Sequence, residues 1–262
     1  MSVVKRNNVQ ISGRGQKPML FAHGFGCDQH MWRYVAPAFE EEYKVILFDH
    51  VGAGKSDLTA YNRAKYNSLN GYADDVLEIC RDLNLEDGIF VGHSVAAMIG
   101  ILAAIKEPER FTKLVLIGPS PSYINDGGYT GGFTREEIAS LLDVLDSNYL
   151  GWSSTMAPAI MGRPDQPEFG EELTNSFCRT DPEIAKHFAH VTFLSDNRAD
   201  LPNLKTRSLI LQCSNDVIAP EAVGRYLHRT LADSHLVMMK AIGHFPNLSA
   251  PDETIAAMKA FL

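Results

Sequence analysis

A chain of 262 residues, 45% hydrophobic and 21% charged, is long enough to bury a large core without disulfide or metal staples. Its 24 Lys and Arg stand against 32 Asp and Glu, and the net charge of -8 disfavours nucleic acid or an anionic membrane as partner, since both need a basic face. Cys27, Cys80, Cys178 and Cys213 are scattered, with no C-x-x-C pair and no histidine cluster at zinc spacing, so buried free thiols and no metal are expected.

The opening MSVVKRNNVQISG has no apolar core of the signal-peptide kind, and no stretch approaches the roughly 18 apolar residues of a membrane span. A cytoplasmic protein is expected. Ser12-Gly13-Arg14-Gly15 reads as the turn of a small hairpin at a sheet edge. Short apolar runs follow at Met19–Ala22, Val45–Asp49, Ile89–Gly92, Lys113–Ile117, Ser208–Cys213 and His235–Lys240. Runs this short, rich in Val, Ile, Leu and Phe, suit strands covered on both faces. Helical patterns lie between them at Tyr72–Leu83, Ala96–Ala104, Ala222–Leu231 and Pro251–Leu262. The alternation predicts an α/β fold, a mostly parallel sheet flanked by helices.

One stretch breaks the rhythm. From Ser122 to Asn197 the pattern gives helices only, at Arg135–Tyr149, Gly151–Met161, Glu168–Phe177 and Asp181–Leu194, with Asp181-Pro182 as a helix start. Residues 122–197 are therefore expected to form a helical lid on a core made of 1–121 and 198–262. An insertion between two strands belongs over the carboxyl ends of the sheet, where open α/β sheets bind ligands.

The chemistry gathers at three strand ends. Gly92-His93-Ser94-Val95-Ala96 follows the strand IFV and precedes the helical AAMIGILAA, the strand-turn-helix setting of a nucleophile elbow. Small residues are needed two positions before and after the serine; Gly92 meets the first need, and Ala96 replaces the usual second glycine. A serine that merely caps a helix is the plainer reading of this pentapeptide taken alone. A bare hydroxyl is a poor nucleophile near pH 7 and needs a base. His244 lies just past the last strand, in Gly243-His244-Phe245-Pro246, and the order serine, acid, histidine suits this kind of fold. The strand before it ends in Cys213-Ser214-Asn215-Asp216, which makes Asp216 the acid; the position after Lys113–Ile117 offers Gly118-Pro119-Ser120 and no carboxylate. For the oxyanion, the backbone N–H groups of Phe25, in His23-Gly24-Phe25-Gly26, and of Val95 are the expected donors.

Gly52-Ala53-Gly54-Lys55-Ser56 ends like a phosphate-binding loop. That motif needs glycine where Asp49 stands, so a tight turn after a strand is expected instead. His23 with His30, and His187 with His190, lack carboxylate or cysteine partners at metal spacing.

Longer phrases carry a resemblance: HGFGCDQHMW at His23–Trp32, VAPAFEE at Val35–Glu41, VILFDHVGAGKSD at Val45–Asp57, GHSVAAMIG at Gly92–Gly100, GPSPSYIND at Gly118–Asp126, SNYLGW at Ser147–Trp152, FLSDNR at Phe193–Arg198 and SAPDETI at Ser249–Ile255. Over nearly its whole length the chain resembles the RsbQ-type α/β-hydrolases of bacterial stress signalling and their plant relatives, the strigolactone and karrikin receptors. The resemblance implies an α/β-hydrolase fold with a four-helix lid over a hydrophobic pocket and no cofactor. It implies a serine hydrolase for a small hydrophobic ester or lactone, with Phe25, Val95, Trp152 and Phe193 lining the pocket and Met156 where an aromatic often stands; Phe133 and Tyr149 add to the aromatic set of the insertion. It also implies a PAS-domain phosphatase as partner in activating a general stress sigma factor. An ordinary metabolic carboxylesterase or lactonase, and a ligand-binding receptor with little turnover, remain open at this point.

Overall fold

The computed structural model describes residues 2–262. Seven strands form one sheet in the order β1-β3-β2-β4-β5-β6-β7: β1 Gln10–Ser12, β2 Lys17–Ala22, β3 Tyr43–Leu47, β4 Gly88–His93, β5 Phe111–Ile117, β6 Arg207–Cys213 and β7 Ser234–Met239. Every pairing is parallel except that of β1 with β3. The chain leaves β2 for β3 on one side and takes up β4 on the other. The gap beyond the carboxyl ends of β2 and β4 is thus a switch point of the kind where such sheets bind ligands. The register lays Ala22 beside Gly92, so the loops after these two strands emerge side by side.

The edge differs from the expected hairpin. β1 is antiparallel to β3, not to its chain neighbour β2, so the chain between them crosses the end of β3. Gly13, at φ 88°, and Gly15 let it pass: a Cβ on either would lie 2.2 or 2.0 Å from the Tyr43 or Glu42 carbonyl oxygen. β3 also ends two residues earlier than the apolar run suggests. Asp49 is drawn out of the strand because its carboxylate accepts hydrogen bonds from the Gln29 and Lys55 amides and the Asn8 side chain, at 2.8, 2.9 and 2.7 Å. With the Gly52 amide donating to Ser56 Oγ at 3.0 Å, this is the tight turn expected in place of a phosphate loop.

Helix α1 covers Val3–Arg6, α2 Leu69–Asp82 and α3 Val95–Lys106. Helix α3 packs on β4, β5 and α2, and every residue from Val95 to Ala104 is buried. A helix apolar all round belongs in the core, and this one holds the turn at Ser94 on a rigid base. The insertion contributes α4 Arg135–Ser147, α5 Tyr149–Met161, α6 Pro167–Arg179 and α7 Pro182–Phe193; the last elements are α8 Glu221–Thr230, α9 Pro246–Ser249 and α10 Pro251–Phe261. Local chemistry sets their ends. Thr134 and Glu137 form a capping box at α4, and Asp181 accepts from the Glu183 and Ile184 amides ahead of Pro182. Asn148 leaves the helical region and accepts from the Gly151 amide, so it ends α4 and starts α5; Tyr149 therefore begins α5 rather than ending α4. Three cysteines are buried as expected, but Cys178 is exposed: α6 turns Leu173 and Phe177 inward, and the residue after Phe177 points away. No helix among the described residues is long and apolar enough to cross a membrane.

Candidate active site

The turn from β4 to α3 holds Ser94 at φ 57°, ψ -126°, a conformation that costs a non-glycine residue of order 1–3 kcal/mol. The surroundings over-determine it. The Ser94 amide donates to the Ile117 carbonyl at 2.8 Å, and α3 starts immediately after. Gly92 permits the close crossing of strand and helix, because a Cβ there would lie 2.6 Å from the Ala96 carbonyl oxygen. Gly24 allows the loop after β2 to reach the elbow; its Cβ would lie 2.7 Å from His93 Nδ1 and 3.2 Å from Ser94 Cβ. The methyl of Ala96 fits without exposure.

Three buried side chains meet above the sheet. Ser94 Oγ lies 2.7 Å from His244 Nε2, and His244 Nδ1 lies 2.6 Å from Asp216 Oδ2. With Nδ1–H donating to the carboxylate, Nε2 is left as the acceptor that faces the hydroxyl. Asp216 lies after β6 and His244 after β7. The second carboxylate oxygen accepts from the Ile218 and Ala219 amides at 2.8 and 3.0 Å, which fixes the carboxylate plane. Two further contacts hold the histidine's backbone. His93 Nε2 donates to the His244 carbonyl at 2.7 Å, and the His244 amide donates to the Ile160 carbonyl of α5 at 2.9 Å. Burial keeps His93 well below the ordinary histidine pKa, so it serves as a neutral donor. A hydroxyl in this setting can pass its proton to Nε2 while attacking a carbonyl, with Asp216 stabilising the imidazolium. The Phe25 and Val95 amides have no acceptor among the described residues, which leaves both free for a developing oxyanion.

The cavity over Ser94 is small, about 30 Å³, well below the roughly 300–1,000 Å³ usual for small-ligand pockets. Phe25, Trp152 and Phe193 line it, as the resemblance implies. The Phe25 ring is the hub: it meets Trp152, Phe177, Phe188 and Phe193 at ring-centre distances of 6.1, 5.7, 5.8 and 6.3 Å. No Asp, Glu, Lys or Arg among the described residues lines this cavity. The Trp152 indole N–H is buried without a partner.

Two expected lining residues lie elsewhere. Phe133 and Met156 border an outward hollow between α4 and α5, shared with Leu141 and Val144. Phe133 is held there by pairing with Ile124, and Met156, one turn on from Trp152, lies nearer the surface than its neighbour. Trp152 is the wall between that hollow and the Ser94 cavity. Tyr149 stands behind Trp152, stacked at 6.3 Å and tied by its hydroxyl to the Phe177 carbonyl. Val95, a third residue expected in the lining, does not border this cavity. Lining residues not foreseen are His93, Tyr123, Ile160, Phe177, Thr192, Ile218 and Phe245. Tyr123 follows β5 within the GPSPSYIND phrase, and its place past a strand end was the available signal. No group of three or more His, Cys, Asp and Glu among the described residues could hold a metal ion.

Known proteins resemble this chain over nearly its whole length. The chain is 38% identical over 257 residues to a karrikin insensitive 2 receptor of Petunia hybrida, covering 98% of this chain and 95% of that protein. It is 37% identical over 251 residues to a strigolactone esterase of Arabidopsis thaliana, covering 95% and 94%. A solved hydrolase structure from Oleispira antarctica superposes with a TM-score of 0.96 at 41% identity, covering 99% of this chain and 95% of that one. The sequence profile of the alpha/beta hydrolase family matches residues 19–257, and the chain accordingly belongs to that family.

Proposed function

We propose that this hydrolase cleaves a small, neutral, hydrophobic ester or lactone with Ser94 as nucleophile, His244 as base and Asp216 as the group that orients it. The observation that carries the reading is the pairing of a strained Ser94 with a histidine nitrogen 2.7 Å from its Oγ. Ser94 Oγ attacks the carbonyl carbon and its proton moves to His244 Nε2. The oxyanion is held by the Phe25 and Val95 amides. The protonated histidine then gives its proton to the leaving alkoxide, which departs as an alcohol, or stays tethered when the substrate is a lactone. Water, deprotonated by the same histidine, releases the acid from the serine. The absence of charged side chains in the lining favours a neutral substrate, since an ionic one would lose its hydration without a partner.

Residues 122–197 act in this reading as a lid on the core of 1–121 and 198–262. The likeness to proteins named as receptors supports a signalling role; slow turnover, a PAS-domain phosphatase partner and a place in the cytoplasm are proposed on the resemblance to RsbQ-type hydrolases alone. The decisive experiment is hydrolysis of p-nitrophenyl acetate by the parent and Ser94→Ala proteins, together with mass spectrometry after a fluorophosphonate label. Turnover should fall by roughly 10³-fold or more in the folded variant. The label should sit on Ser94. Near-normal turnover, or labelling at another residue, would refute the assignment.

A further inference from the structure

Among the described residues, Tyr123 is the one phenol that borders the Ser94 cavity. Its position is set from several sides. The Tyr123 carbonyl accepts from the Phe133 amide at 3.1 Å, and Gly131 packs against that carbonyl so closely that a Cβ would lie 2.6 Å from the oxygen. The Phe193 ring meets the Tyr123 ring edge-on at 5.2 Å. The hydroxyls of Tyr66, Tyr129 and Tyr149 are spent on Asp75, the Ser122 carbonyl and the Phe177 carbonyl, at 2.8, 2.6 and 2.9 Å. The Tyr123 hydroxyl instead has Ser94 as its hydrogen-bonding neighbour. The cavity they share, about 30 Å³, has room for about two waters, so the phenol stands close to the reacting atoms.

Strand order tells which side of Ser94 the phenol occupies. Ser94 follows β4. The loop after β2, which carries the Phe25 amide, emerges on one side of it; β5, β6 and β7, which lead to Tyr123, Asp216 and His244, lie on the other. The phenol therefore shares the side of the base and stands across Ser94 from the Phe25 amide. An ester whose carbonyl oxygen points to Phe25 turns its alkoxy oxygen toward His244, which protonates it as it leaves. That alkoxy oxygen is the one on the phenol's side. Burial pushes the Tyr123 pKa well up, the Ser94 hydroxyl works against this, and the charge of Asp216 adds to it. The phenol thus keeps its proton and acts as a hydrogen-bond donor. Ser94 Oγ can accept from it while giving its own hydrogen to His244 Nε2.

We propose that Tyr123 is a further catalytic residue, whose hydroxyl donates to Ser94 Oγ in the resting enzyme and turns to the leaving oxygen of the ester as the acyl bond breaks. The proposal rests on the reading of Ser94 as nucleophile. No proton leaves the phenol. The acyl C–O bond breaks, its electron pair stays on the alkoxy oxygen, and the proton that this oxygen receives is the one His244 took from Ser94. The Tyr123 hydrogen bond steadies the charge on the leaving oxygen until that proton arrives. Its help is worth most where the leaving oxygen is most basic, so it favours alkyl esters and aliphatic lactones over nitrophenyl esters.

The test uses the full-length protein and two pairs of acetates matched in shape: p-nitrophenyl with p-methylphenyl, and trifluoroethyl with ethyl. Within each pair the second ester has the more basic leaving oxygen. The quantity read is kcat/KM, which covers the steps up to loss of the leaving group, whereas all four esters share one acetyl-enzyme afterwards. In Tyr123→Phe, checked for folding by its melting curve, kcat/KM should fall for all four. The fall should be about tenfold larger for ethyl than for trifluoroethyl acetate, as expected of a hydrogen bond to a developing charge, and should differ in the same direction within the aryl pair. If Tyr123→Phe does not fold, Tyr123→Met, which also lacks the donor, is read in the same way. A loss equal within each pair means that the ring serves packing only, and overturns the proposal. No loss at all overturns it as well. Turnover of the four esters by a folded Ser94→Ala protein would instead refute the nucleophile, an outcome visible without reference to the pairs.

Discussion

Gly92→Ala adds one methyl at the most crowded point of the elbow. The added carbon would lie 2.6 Å from the Ala96 carbonyl oxygen, 2.7 Å from the Ala96 carbonyl carbon and 2.8 Å from Ala97 Cα. Ordinary contact begins near 3.4 Å, so the shortfall at the oxygen is 3.4 - 2.6 = 0.8 Å. All three atoms are backbone in the first turn of α3, and no side chain can rotate away. Strand and helix must separate, at the cost of about 1–3 kcal/mol typical of overpacking. Ser94 sits in the turn between them and moves with the helix. A displacement approaching 1 Å at the reacting group costs about 10²-fold in rate. We expect urea denaturation followed by tryptophan fluorescence to show the loss of stability, and kcat for p-nitrophenyl acetate to fall about 10²-fold. Ala96→Gly is the counterpart: it removes a methyl at the other small position, costs up to about 1 kcal/mol of helix propensity, and should leave kcat within a few-fold. A Gly92→Ala protein with parental stability and turnover would show that the elbow is not the close crossing described above.

Asp216→Asn keeps the size of the side chain but offers His244 Nδ1 an amide in place of a carboxylate, which destabilises the imidazolium and favours the wrong tautomer. The rate should fall by up to about 10⁴-fold, and a rate within a few-fold of the parent would place the acid elsewhere. Stability should also depend on pH in a stated direction. His50 and His93 are held neutral by burial when folded, whereas in the unfolded chain they titrate near 6.5. Below that pH the unfolded state takes up protons that the folded state refuses, so stability falls as pH falls. Each residue contributes a slope of up to about 1.4 kcal/mol per pH unit. Urea midpoints measured between about pH 7.5 and 5.5 should drop accordingly, and His50→Asn should flatten the slope by about one proton; an unchanged slope in that variant would mean that His50 is charged in the fold.

The three residues proposed as a triad were legible as candidates because each sits where a strand stops, and strand ends are marked by short apolar runs followed by Gly, Asp or Ser. The order of Ser94, Asp216 and His244 along the chain supplied the rest. The lining of the cavity was harder to read. Helix α5 is apolar on several sides, with Trp152 and Ile160 buried yet Leu150 more than half exposed, so periodicity could not say which face turns inward. That is why Met156 was assigned to the pocket and Ile160 was not. Phe177 is buried by the phase of α6, whose apolar positions are legible, but its approach to Phe25 depends on how α6 crosses the loop after β2. His93 gives no sequence sign of its hydrogen bond to the His244 carbonyl, because the two residues meet only when β4 and the loop after β7 are brought together.

The hydrogen bond from the His244 amide to the Ile160 carbonyl joins two parts of the molecule that could otherwise move separately. At this contact Gly243 and Gly162 lie back to back, and a Cβ on Gly243 would fall 1.8 Å from the Met161 carbonyl oxygen, so nothing but backbone separates α5 from the loop of the base. Lifting this end of α5 would therefore withdraw an anchor from His244, the base in the proposed mechanism. In that mechanism, any movement that admits substrate past α5 and the alignment of the proton acceptor share one mechanical coordinate. A compound that wedges α5 open would act as an inhibitor without touching Ser94, and a compound small enough to let α5 stay seated would meet a base already in register.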